Sequence, residues 1–143
     1  MAEFNLMEIN ADNFGNLPAG TGATVRESTT VNNKVLFNAC NGSGEPIKGL
    51  VDTGEVIAVG DIVVTSTDVP SERDNPDSEK VSHPVAHFFT TDGKHYSTLS
   101  NGIIRGVKMM FATGMTPTTE NPVSLIFKST PTKKGTAHVL DMV

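Results

Sequence analysis

The sequence predicts a mainly β fold of short strands and frequent turns, with a single helix late in the chain. Three observations carry this. Thirteen Gly and eight Pro sit among many Thr, Ser and Asn, a composition that breaks a chain into short elements. The apolar residues gather in short β-branched and aromatic runs bounded by turn signals. Only one stretch, after Ser100, repeats its apolar residues at the helical period. At 143 residues and 37% apolar, the chain has the size of one domain with one modest core.

Residues 1–32 are polar and rich in Gly, Asn and Thr, with Phe4, Leu6, Ile9 and Phe14 as the sizeable apolar anchors before Leu17. They read as an arm with one short strand near Thr24–Thr30. Lys34–Cys40 is the first clear strand, stopped by Asn41-Gly42-Ser43-Gly44. Pro46 to Asp52 reads as a further short strand. Glu55–Val59, Gly60-Asp61 and Ile62–Ser66 form either one long strand bent at Gly60 or a tight hairpin. Both faces of this run are apolar, which suits a strand curling inside a small barrel.

Asp68–Lys80, DVPSERDNPDSEK, sets five acids against Arg73 and Lys80 and reads as a solvated loop. Val81–Thr91 is a strand whose Pro84 belongs at an edge or bulge. Asp92-Gly93 predicts a two-residue type I′ hairpin turn, and Lys94–Thr98 returns. Ser100 is placed to cap a helix with Ile103, Ile104, Val107, Met110 and Phe111 on one face and Arg105 and Lys108 opposite. Gly102 and Gly106 each weaken that helix by roughly 1 kcal/mol, so it must lean on tertiary packing. Gly114–Pro122 is a loop, Val123–Lys128 a strand, Pro131–Gly135 a turn, and Thr136–Met142 a last strand.

Strands, one helix, then a two-stranded hairpin is the layout of an OB-like five-stranded barrel with its helix between strands 3 and 4. That fold binds oligonucleotides on its strand 2–3 face and in neighbouring loops. The expected division is an N-terminal arm or extension, 1–32, and an OB-like domain, 33–143.

The net charge of −5 is unevenly spread: residues 1–83 hold 5 basic and 13 acidic side chains, residues 84–143 hold 6 and 3. A locally basic half can steer a polyanion even in an acidic chain. The single Cys40 excludes an internal disulfide, and a reducing cytoplasm is the simplest compartment. The start, MAEFNLMEIN, has neither the basic nor the apolar segment of a signal peptide. No apolar run reaches the roughly 18 residues of a membrane helix.

Catalytic motifs are missing: there is no GxSxG, HExxH, CxxC or phosphate loop. His83 and His87 share a strand face about 13 Å apart, too far for one metal. Neither enzyme activity nor a cofactor or metal is expected. A binding platform for single strands needs only rings on which bases stack and cations that follow the backbone. The candidates are Tyr96, Phe88, Phe89 and His95 for stacking, and Lys94, Lys128, Lys133, Lys134, Arg105 and Lys108 for phosphates. Phe88 and Phe89 point to opposite faces of a strand, so one of them must leave the main core. Tyr96 is expected at the surface, where its hydroxyl meets water or a partner. Phe37, Phe127 and one of the 88/89 pair are expected in the core.

Phe37-Asn38-Ala39, Lys48-x-Leu50, Asp52-x-Gly54-x-Val56-Ile57 and Asp92-Gly93-x-x-Tyr96-Ser97-x-x-Ser100 occur in that order. With the helix, strand and basic hairpin that follow, residues 33–143 resemble the single-stranded DNA-binding proteins of small tailed bacteriophages that replicate by protein priming. The resemblance implies an OB-like barrel that coats displaced strands in the host cytoplasm, without sequence preference or catalysis, and an aromatic at Tyr96 that stacks on DNA. The chain departs from the family where Thr65 and Ser66 stand in place of a further aromatic, and in its longer residues 1–32, either a self-association arm or a cover for the barrel edge. A rival reading, a capsid-decorating or tail β protein of the virion, rests on the same Gly/Thr/Asn-rich arm and the low basicity. A third is an adaptor whose acidic 68–79 segment mimics DNA.

Overall fold

The computed structural model describes residues 6–8, 24–26, 38 and 44–143, apart from 73, 74, 116, 119 and 134. The fold is mainly β, organised around one long strand. Val56–Glu72 (β4) is rich in β-branched residues, the type that packs well on a pleated surface. Its first four residues pair antiparallel with Val123–Thr132 (β7), from Val56↔Ile126 to Val59↔Val123. From Val59 onward it pairs on its other edge with Asn75–Thr90 (β5). Val63–Thr65 also pair with Thr24–Arg26 (β2), which is joined in parallel by Leu6–Glu8 (β1). β5 pairs with His95–Thr98 (β6), and β6 with the two-residue strand Glu45–Pro46 (β3). β7 continues into Gly135–Met142 (β8). The described strands thus form one eight-stranded sheet.

The two sequence alternatives for residues 55–66 resolve as one bent strand. A register shift between Val59 and Asp61 places a bulge at Gly60. Before it the core takes the odd residues Ile57 and Val59; after it the core takes the even residues Ile62 and Val64. The extra residue resets the alternation, which is why the run looks apolar on both faces. The bend also curls the sheet. Strands on opposite edges of β4 would stand about 9–10 Å apart in a flat sheet. Phe88 of β5 and Phe127 of β7 nevertheless meet edge-on with centroids 5.3 Å apart.

Two helices close the concave side. Lys48–Thr53 (α1) stands where a strand was expected. Ile47, Leu50 and Val51 recur at helical spacing, Ile47 and Leu50 are buried, and Gly54 ends the helix at φ +66°. Asn101–Ala112 (α2) buries the five apolar residues that its spacing picks out. Ser100 occupies the N-cap position, but its hydroxyl donates to the His138 carbonyl of β8 instead of capping the helix. The glycines of α2 have a packing reason. A Cβ at Gly102 would lie 2.2 Å from the His138 carbonyl oxygen, and one at Gly106 2.7 Å from Leu140 Cγ. Bare backbone lets α2 seat directly on β8.

Two further expectations are corrected, and a third lies outside the described residues. Asp68–Lys80 is a β-ribbon: β4 and β5 stay paired from Asp68↔Ser82 to Glu72↔Asn75. Its prolines are tolerated because the ribbon has open edges. The turn after Thr90 is a three-residue type, since Phe89 pairs with His95 and Gly93 alone takes a positive φ, +90°. The strand expected at Lys34–Cys40 lies outside the described residues except for Asn38, which is helical. Phe37 lies outside them too.

Candidate nucleic-acid interface

The sheet has two buried faces of different character. The concave face holds the core, including Phe88 and Phe127, both fully buried. Phe88 pairs directly with Tyr96 of β6, so the pleat sends both side chains to that side. Tyr96 is 7% exposed and packs within the core. The surface position expected for it is therefore corrected. The residues of β6 that face the other way are His95 and Ser97.

The convex face brings together Asp61, Val63 and Thr65 of β4, His87 and Phe89 of β5, and His95 and Ser97 of β6. Phe89 and His95 sit opposite each other in the register, and their rings stack with centroids 4.2 Å apart and planes 16° from parallel. His95 Nε2 is 2.9 Å from His87 Nδ1, and His87 Nε2 is 3.0 Å from Thr65 Oγ1. The result is a continuous chain of hydrogen bonds ending in a stacked pair. Burial first, then the nearby His95, pulls the His87 pKa down to about 4. Burial also lowers that of His95. At neutral pH both imidazoles are uncharged, and the face is aromatic rather than ionic. Gly44 abuts it: a Cβ there would lie 2.8 Å from His95 Nε2.

Lys94 is exposed at the edge of this face, in the turn that joins β5 to β6. Its backbone N–H donates to Thr90 Oγ1, whose hydroxyl donates to the Asp92 carboxylate and holds that carboxyl below its usual range. A groove of about 170 Å³ runs between this turn and Glu55–Ala58. Glu55 and Asp92 line it beside Lys94, a mixed-charge lining that suits phosphate poorly.

The other candidate cations are dispersed. Lys128 forms an ion pair with Asp141 at 3.0 Å, which offsets its charge. Lys133 is exposed in the β7–β8 turn, and Lys134 lies outside the described residues. Arg105 and Lys108 are exposed on the outward face of α2. The core separates that helix face from Phe89 and His95. Sequence reasoning missed His87 and Thr65 as parts of the face. The signal was available in the hairpin: a three-residue turn after Thr90 sets His95 opposite Phe89 and diagonal to His87, a distance rings span readily.

Among the described residues no group of three or more His, Cys, Asp and Glu is arranged to hold a metal, and no helix is long and apolar enough to cross a membrane. No curated protein and no solved structure matches the chain. A protein-family model described as phage single-stranded DNA-binding protein does match, over residues 17–140. That span takes in the long strand, the stacked convex face, α2 and both hairpins, and by it the chain belongs to the family of phage single-stranded DNA-binding proteins.

Proposed function

We propose that the chain binds single-stranded DNA without sequence preference and coats displaced strands during phage DNA replication in the host cytoplasm. The observation that carries the reading, beside family membership, is the half-buried His95 ring, backed by the buried Phe89 ring stacked on it and with Lys94 at its edge. Every base has a π-face, so a base that extends such a stack is held whatever its identity. Lys133 and Lys134 supply the phosphate contacts, with a smaller share from the ion-paired Lys128 and from Lys94, whose charge Glu55 and Asp92 partly offset. Phe88 and Tyr96 support the platform from beneath.

On this reading β4, β5, β6, β7 and β8 with α2 correspond to an OB-like barrel within a domain of residues 33–143. Residues 1–32 form the arm. The pairing of β2 to β4, and of β1 to β2, supports an edge-covering role for that arm. The virion reading has no such support from the family match.

Titration of fluorescent oligo(dT) at low salt is expected to saturate and to weaken log-linearly with salt. Mixed-sequence oligonucleotides should bind with similar affinity. Phe89→Ala and His95→Ala should each weaken binding by about 1–3 kcal/mol while the circular dichroism spectrum is kept. Unchanged isotherms for both folded variants would remove the platform, and no binding by the wild type would remove the function.

A further inference from the structure

The outward face of α2 is left unused by the fold and by the convex face. Arg105, Lys108 and Met109 stand three and four residues apart, so their side chains form one patch. All three are exposed, and Met109 is 58% exposed. The helix carries no acidic residue. Among the described residues neither Arg105 nor Lys108 has an ion pair or hydrogen bond. The patch is therefore two uncompensated cations with the apolar Met109 flanking Arg105 on the side away from Lys108.

A surface of matching chemistry projects elsewhere. β2 pairs with β4 only as far as Thr65, and β6 pairs with β5 only from Ala86. Beyond those points, among the described residues, the β4–β5 ribbon has no strand on either edge. It carries Glu72 and Glu79, both exposed, and Val81, 42% exposed. Among the described residues no ion pair joins this ribbon to its own α2.

We infer that the acidic ribbon of one copy docks on the Arg105–Lys108–Met109 face of α2 in the next copy. Glu72 and Glu79 meet the two cations, and Val81 meets Met109. The two surfaces differ, so the contact is heterologous and extends into an open chain of copies rather than closing on a dimer. Neither surface includes Phe89, His95 or Lys94, so the contact between copies does not use the residues proposed to meet DNA. A shared strand would raise the local concentration of neighbours into the millimolar range, enough for a small, salt-sensitive contact to order them.

The test uses the full chain without DNA, so its failure is distinct from failure of DNA binding. Sedimentation velocity is run over a concentration series at low and high salt. The wild type should show a sedimentation coefficient that rises with concentration at low salt and falls to the monomer value at high salt. A helix-reversed variant, Arg105→Glu with Lys108→Glu, and a ribbon-reversed variant, Glu72→Lys with Glu79→Lys, should each stay monomeric when alone. Their equimolar mixture should regain the association, because each ribbon then faces an oppositely charged helix. Circular dichroism confirms that both are folded. A wild type that is monomeric throughout overturns the inference. So do variants that associate as the wild type does, or a mixture that stays monomeric.

Discussion

The buried imidazole of His87 makes stability depend on pH. Its side chain is 1% exposed, and it titrates at about 4 in the folded chain against 6.5 for a free histidine. Between those values the unfolded chain binds a proton that the folded one does not, so lowering the pH favours unfolding. The stability that follows from keeping His87 neutral is fully present above pH 6.5 and is lost as pH falls towards 4. The full difference amounts to about 3 kcal/mol, and about 2 kcal/mol of it is gone by about pH 5. His95 shifts in the same direction and adds to the same loss. The assay is urea unfolding followed by circular dichroism at a series of pH values, for the wild type and for His87→Gln. Glutamine keeps a polar group beside Thr65 and removes the titration. Carboxylate titrations are common to both proteins and cancel in the difference. The wild type should lose about 2 kcal/mol more than the variant between about pH 7.5 and about pH 5. Parallel curves would refute the reasoning and show that the convex face opens to water readily enough to solvate the charge.

Three more predictions concern packing. Gly102→Ala should lower the melting temperature, with a loss of about 1–3 kcal/mol, because the new methyl collides with the His138 carbonyl; Gly49→Ala in α1 meets nothing and should stabilise by up to about 1 kcal/mol. If Gly102→Ala leaves stability unchanged or raises it, α2 does not rest on β8 as described. Phe127→Ala should cost about 3–5 kcal/mol in denaturant unfolding, since its ring is fully buried against Phe88.

Legibility from sequence follows the physics of each element. α2 was readable because Ile103, Ile104, Val107, Met110 and Phe111 repeat the helical period over three turns. α1 was not, because six residues hold too little periodicity to separate a helix from a short strand. The Asp68–Lys80 ribbon was hidden by its own chemistry. A two-stranded ribbon exposed to solvent has no need of apolar alternation, so its charges and prolines look like those of a loop. The site was half readable. The opposite facing of Phe88 and Phe89 follows from the pleat alone, but which of them enters the core depends on the bulge at Gly60 and on strand pairing. Tyr96 is not legible from the sequence, because its hydroxyl argues for the surface whereas its register partner Phe88 sends it into the core.

The adjacent phenylalanines of β5 also bear on how the chain avoids misfolding. A strand that slips by one residue turns its whole pattern over. Here the slip would trade Phe89 for Phe88, ring for ring, and the core would scarcely distinguish the two. The same slip would push His87 into the place of Ala86, swapping a methyl for an imidazole and stripping that ring of Thr65 and His95. The rings fill space in either alignment; the histidine beside them is what makes one alignment the native one.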